Sequence, residues 1–138
     1  MSRLPALLLI AALALPGLPA LAQDREPVQR QLLIDLSYVI GESHALRQAC
    51  KGADDQYWRL RMARLIETEA PDDGLRGRLT ESFNTGYVSS QSRFPSCSAQ
   101  SRTAEAQVAA QGRAYSERLT AARVIPPPDK LAQTPNPR

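Results

Sequence analysis

Residues that bind metals or carry redox chemistry are scarce in this chain of 138 residues, which has one histidine and two cysteines. A structural zinc site needs about four ligands, and these three residues fall short of that number. The cysteines, Cys50 and Cys97, do not form the C-x-x-C motif of thiol–disulfide oxidoreductases. We therefore expect neither a metal nor a cofactor.

Lysine is equally scarce, because it occurs only at Lys51 and Lys130 among 17 basic residues. Arginine therefore supplies almost all of the positive charge, which favours bidentate pairs with carboxylates over a diffuse basic surface. The formal net charge of +3 is small. Nucleic-acid-binding domains carry a clustered basic excess, so we expect no nucleic-acid partner.

The amino terminus has the pattern of a secretory signal peptide. Arg3 precedes the uncharged run LPALLLIAALALPGLPALA, which ends in the A-x-A site Ala20–Ala22. Pro16–Pro19 interrupts this run before it reaches the roughly 20 residues that span a bilayer. We predict cleavage of residues 1–22, a periplasmic location and no stable membrane span in the mature protein.

The longest amphipathic pattern lies between Leu32 and Cys50. Its members recur at alternating spacings of four and three residues: Leu32, Leu36, Val39, Ser43, Leu46 and Cys50. This spacing is typical of a helix that packs one face against a partner. Asp35, Glu42, Arg47 and Gln48 fall largely outside the stripe, so we expect them to face water.

Helix-capping and helix-breaking residues divide the remaining chain. The expected boundaries are Gly52, Asp54 or Asp55, Pro71, Asp72, Pro95, Ser96 or Ser98, and Pro126. Acidic and hydroxyl side chains cap helix starts, whereas glycine and proline end helices. These signals predict that residues 23–125 form one all-α domain, a small bundle of about four helices. The proline-rich residues 126–138 predict a disordered tail.

Cys50 ends the first predicted helix and Cys97 precedes the fourth. In an oxidising compartment two cysteines pair by default. We expect one disulfide that encloses the second and third helices as an antiparallel hairpin. A free or intermolecular thiol is the alternative.

The first candidate binding residues lie on the predicted first helix. Gly41 costs stability in mid-helix, which indicates a close crossing by another helix. Glu42, Arg47 and the single histidine, His44, follow it. His44 is either a hydrogen-bonded structural side chain or a ligand-binding group.

Three more candidates lie on the second and third predicted helices. Trp58 and Arg59 form either part of the core or a stacking platform at the rim of a groove. Asn84 is a poor helix former, so we expect it to bond to another helix or to a ligand.

Several motifs together resemble a known family. The run YVIGESHALRQAC, then DQYWRLRM, then FNTGYVSSQSRFPSC, and then a helix with Gly112 resemble small exported proteins of Gram-negative bacteria. The resemblance covers about Leu32 to Leu119, and the family is a domain of unknown function. It implies a secreted helical domain with the cysteine pair as part of its pattern. It implies no reaction.

Three functions fit these patterns. The first is a non-enzymatic protein that binds another cell-envelope protein or a cell-wall component. The alternative is a protein that binds a small ligand or a cell-wall fragment in a pocket around His44 and Trp58. The third is a hydrolytic enzyme with His44 as base. Ser43 does not face His44, because consecutive helical positions diverge by about 100°, and no catalytic constellation is recognisable.

Overall fold

The computed structural model describes residues 26–124, and this part of the chain contains four α-helices and no strand. The helices are α1 (Pro27–Lys51), α2 (Tyr57–Glu69), α3 (Asp73–Arg93) and α4 (Ala99–Val124). The predicted all-α bundle is thereby confirmed. The predicted signal peptide, residues 1–22, and the predicted tail, residues 126–138, lie outside the described residues. None of the helices described is long and apolar enough to span a bilayer.

Local capping signals set the helix ends. Asp72 Oδ1 accepts a hydrogen bond from the backbone N–H of Leu75 at 2.8 Å and caps α3. Ser98 and Ser101 cap α4 reciprocally, because each hydroxyl accepts a bond from the other residue's backbone N–H, at 3.0 and 2.8 Å. Gly52 follows α1 with φ 102°, a conformation that glycine adopts without strain.

The helix α1 lies at the centre and packs against α2, α3 and α4. Its apolar stripe joins residues of the other helices in one core: Leu32, Leu33, Leu36, Ile40, Met62, Leu75, Leu79, Phe83 and Leu119. With neighbours on several sides, α1 also buries polar side chains, namely Ser37, Glu42, Ser43 and His44. The expectation that Glu42 faces water is therefore wrong.

Two glycines allow α1 and α3 to cross closely. A Cβ atom on Gly41 would lie 2.0 Å from the carbonyl oxygen of Phe83. A Cβ atom on Gly86 would lie 2.1 Å from the carbonyl oxygen of Tyr38. Real Cβ atoms essentially never approach other heavy atoms within 3.0 Å. The close crossing predicted at Gly41 is confirmed, and Gly86 is its counterpart on α3.

A disulfide joins Cys50 to Cys97, as predicted. It connects the end of α1 to the residues just before α4 and closes a loop with a sequence separation of 47. Both α2 and α3 lie within this loop, but each packs mainly against α1 and little against the other. The expected antiparallel hairpin of α2 and α3 is therefore wrong, because each of these helices packs separately on α1.

Candidate functional site

His44 is buried on α1 beside two aromatic residues of α3. Its side chain and backbone are 3% exposed, and its ring centroid lies 5.8 Å from that of Phe83 and 5.3 Å from that of Tyr87. The Nδ1 atom is buried and has no hydrogen-bond partner within residues 26–124. Buried polar atoms are nearly always paired, and an unpaired one costs about 1–3 kcal/mol. Nδ1 of His44 is therefore a buried polar atom whose hydrogen-bonding capacity is unused within residues 26–124.

A cavity of about 380 Å³ opens beside this histidine. We call it the His44 cavity, and its lining comes from α1, the α1–α2 connection, α2 and α3: His44, Gln48, Ala53, Gln56, Arg59, Phe83, Asn84 and Tyr87. The structure thus brings together three of the predicted site residues, which are His44, Arg59 and Asn84. Most of the lining side chains are polar, so the cavity suits a polar ligand.

One wall of the His44 cavity is fixed by its own hydrogen bonds. The Gln48 amide donates to the carbonyl oxygens of Ala53 at 2.7 Å and Asp55 at 3.1 Å, and it accepts from the Tyr87 hydroxyl at 2.8 Å. Our sequence reasoning missed Gln48, Gln56 and Tyr87. The spacing of four residues from His44 to Gln48 is a signal that could have identified Gln48.

The His44 cavity is also lined by side chains that are free to bond. Gln56, Arg59 and Asn84 are exposed, and their side chains make no hydrogen bond or ion pair within the described part of the chain. The interhelical bond considered for Asn84 is therefore absent among residues 26–124. A guanidinium and two amides that converge on one opening can bind an anion and its neighbouring polar groups.

The surroundings of the His44 imidazole favour its neutral form. Burial lowers the pKa of His44 below its ordinary value of 6.5, and the positive charge of Arg59 lowers it further, while Asp55 acts in the opposite direction. A neutral imidazole has one donor and one acceptor nitrogen. His44 can therefore form a neutral hydrogen bond with a ligand whose charge is met by Arg59.

Two other predicted site residues, Glu42 and Arg47, do not line the His44 cavity, and both form ion pairs. Glu42 Oε1 accepts bonds from Arg93 Nη2 at 2.7 Å and Ser90 Oγ at 3.4 Å, which joins α1 to α3. Arg47 Nε donates to Asp55 Oδ1 at 2.9 Å. Glu42 is also buried, and breaking a buried pair leaves an uncompensated charge. Glu42 and Arg47 are therefore both engaged within the fold and contribute no side chain to the His44 cavity.

Trp58 lines a different cavity, on the side of α2 that faces α4. We call this space of about 350 Å³ the Trp58 cleft. Because adjacent helical residues diverge by about 100°, Arg59 lines the His44 cavity while Trp58 packs against the core beside the cleft. The expectation of one pocket around both His44 and Trp58 is therefore wrong.

The four helices lie in the part of the chain that a known family model matches. A family model described as "Protein of unknown function (DUF2385)" matches residues 27–122. The chain belongs to this family. The match runs from the first residue of α1 almost to the end of α4, so the DUF2385 domain includes the disulfide and both cavities. The expected membership of a family of unknown function is confirmed. No curated protein and no solved structure matches the chain.

We expect the DUF2385 domain to lose stability as the pH falls below about 6.5. The unfolded chain binds a proton at His44 near the ordinary pKa of 6.5, whereas the folded domain does so only at lower pH. The stability that this histidine provides is complete above its ordinary pKa and is lost as the pH falls towards the lowered one. Urea unfolding between pH 8 and pH 5 measures this slope.

His44→Gln is the control, because it removes the titrating group and is expected to flatten the pH profile in this window. Asp55 and Asp72 do not interfere there, since ion pairs lower their pKa values from an ordinary 3.8. The stability that these two carboxylates contribute is lost only at pH values well below this window. An equal slope in the wild type and in the variant would contradict the assignment to His44.

Proposed function

We propose that this protein is a non-enzymatic protein of the bacterial cell envelope that binds a small carboxylate-bearing ligand in the His44 cavity. The observation that carries the proposal is the buried Nδ1 of His44, which lacks a partner within residues 26–124 and lies on a residue that lines a cavity of about 380 Å³. The apolar amino-terminal run supports export. A cell-wall fragment with a free carboxylate fits both features.

The charge of the cavity mouth supports a carboxylate over a neutral ligand. Arg59 supplies a guanidinium that has no acidic partner within residues 26–124, and guanidinium groups bind carboxylates in a bidentate manner. Gln56 is the N-cap residue of α2, and its side chain does not cap the helix. Asp55 Oδ1 accepts the hydrogen bond of the Tyr57 backbone N–H at 3.1 Å, so a carboxylate already occupies this helix end, and Arg59 supplies the attraction for the ligand.

A hydrolytic role is less well supported by the same geometry. A general base of this kind needs an acidic group that orients the imidazole. Asp55 interacts electrostatically with His44, but its two carboxylate oxygens accept bonds from Arg47 Nε at 2.9 and 3.0 Å. We therefore propose binding rather than catalysis.

Docking on another envelope protein is a second candidate. Exposed apolar side chains favour it, because Leu60 on α2 is 62% exposed and Val88 on α3 is 57% exposed. Tyr57 lies three residues before Leu60 on the same helix and is also exposed. Crosslinking in intact periplasm, repeated with Leu60→Ser and Val88→Ser, distinguishes this candidate from ligand binding. Loss of a specific crosslinked product in these variants is the result expected for a protein partner.

The proposed ligand site is tested by NMR, because the chain has a single histidine whose imidazole resonances need no further assignment. The probes are N-acetyl-D-alanine and its uncharged amide. We expect the acid to shift the His44 resonances saturably and the amide to shift them little. We also expect bound acid to raise the pKa of His44, because an adjacent anion stabilises the imidazolium.

Two variants complete this experiment. Arg59→Gln is expected to weaken binding of the acid by about tenfold or more, since it removes a charge-assisted bond of roughly 1.5–3 kcal/mol. Arg78→Gln has the same change in net charge, lies on the exposed surface of α3 and lines neither cavity, so it should bind like the wild type. Equal affinities for acid and amide, or an unchanged affinity in Arg59→Gln, would contradict the proposal.

A further inference from the structure

The Trp58 cleft is a second site, because it shares no lining residue with the His44 cavity. Its floor is apolar and comes from Leu36, Val39 and Ile40 of α1. Ala109 and Gly112 of α4 also line the cleft, and neither residue has a side chain large enough to fill it. A volume of about 350 Å³ lies within the range of roughly 300–1,000 Å³ that is usual for small-molecule sites.

The helices α1 and α4 approach each other closely at one point of the cleft lining. A Cβ atom on Gly112 would lie 3.3 Å from Val39 Cγ1, which is tighter than ordinary van der Waals contact. The two helices therefore meet at this point of the lining, and α2 contributes Trp58 and Arg61 to the same cleft. Trp58, which is half-buried and packs against the core, forms the wall on that side.

The rim of the cleft is positively charged. Arg61 of α2 and Arg113 of α4 line it, together with one acid, Glu117. Neither arginine forms an ion pair with a carboxylate within residues 26–124. The Arg61 guanidinium lies 4.0 Å from the centroid of the Tyr57 ring and donates a hydrogen bond to its hydroxyl. This contact fixes the guanidinium against Tyr57 and leaves its charge without a carboxylate partner within residues 26–124.

We infer that the Trp58 cleft binds a free single-chain fatty acid. The alkyl chain packs against Leu36, Ile40 and the Trp58 indole, and burial of its apolar surface in the cleft stabilises the complex. The carboxylate lies between Arg61 and Arg113, whose combined charge exceeds that of Glu117. This ligand class differs from the polar ligand of the His44 cavity, so the inference is independent of the proposed function.

The single tryptophan makes the cleft directly observable by fluorescence. The full chain is titrated with decanoate below its micelle concentration, and in parallel with decanol and decyltrimethylammonium. We expect a saturable change in Trp58 emission with decanoate, and at least about tenfold weaker binding of the neutral and cationic analogues, because they lack the charge-assisted bonds. The His44 resonances should not change, since His44 lines the other cavity.

Variants assign the effect to the cleft. Arg113→Gln is expected to weaken decanoate binding by about tenfold, whereas Arg78→Gln should leave it unchanged. Ala109→Leu fills the cleft and should abolish binding, with circular dichroism as a check that the helices remain. No change in emission, equal affinity for decyltrimethylammonium, or a response to phospholipid vesicles alone would overturn the inference.

Discussion

Gly86→Ala is expected to lower the free energy of unfolding by about 3 kcal/mol, at the upper end of the usual cost of overpacking. The new methyl group would lie 2.1 Å from the carbonyl oxygen of Tyr38 and 3.2 Å from the backbone nitrogen of Glu42. Both obstacles are backbone atoms, so no side-chain rotation relieves the overlap. The helices α1 and α3 would have to separate, which would loosen the core between them. Urea unfolding monitored by circular dichroism measures the loss.

The same helix provides a matched control. A Cβ atom on Gly77 would meet no heavy atom within 4 Å, and alanine is a better helix former than glycine by about 1 kcal/mol. Gly77→Ala is therefore expected to raise stability while Gly86→Ala lowers it. Gly41→Ala should behave like Gly86→Ala, because it approaches the carbonyl oxygen of Phe83 in the same way. A similar small effect at all three positions would contradict the close crossing.

Removal of the disulfide is the second large effect that we expect. The double variant Cys50→Ser and Cys97→Ser should lose about 4 kcal/mol, the value of the chain-entropy model for a loop of this size. The sequence separation of 47 residues makes the loop long, because it includes both α2 and α3. Replacing both cysteines avoids a free thiol that could form intermolecular bonds.

Reduction of the wild type provides an independent comparison. The reduced wild type and the double variant should unfold at the same urea concentration, below that of the oxidised protein. Alkylation and intact-mass measurement establish which form is present in each sample. If the double variant matched the oxidised protein in stability, the cross-link would contribute little and the chain-entropy argument would fail for this fold.

The parts of the fold that depend on local sequence were predictable. Asp72 and Ser98 were expected at helix starts, and each caps a helix through a bond to a backbone N–H within three residues. The close crossing at Gly41 was predictable because a mid-helix glycine has few other purposes. With two cysteines in the chain, Cys50 and Cys97 also had one possible intramolecular pairing.

The parts that depend on several neighbours at once were not predictable. A single apolar stripe implies that α1 has one buried face. The structure gives α1 three helical neighbours, so residues outside the stripe are buried as well. Glu42 is one of them, and it pairs with Arg93, 51 residues away. No local spacing identifies such a partner. His44 and Trp58 lie in separate cavities because of the rotation of α2 about its own axis, which the sequence of α1 does not determine.

The central position of α1 has a consequence for biosynthesis. Ribosomes make α1 first, yet its buried leucines pack against α3 and α4, which follow much later in the chain. The amide of Gln29, in the first turn of α1, donates to the carbonyl oxygen of Ala122 in the last turn of α4 at 3.0 Å. Domains generally fold as units. The nascent chain therefore exposes its most apolar helix until translation of the domain is nearly complete, and stable folding follows synthesis.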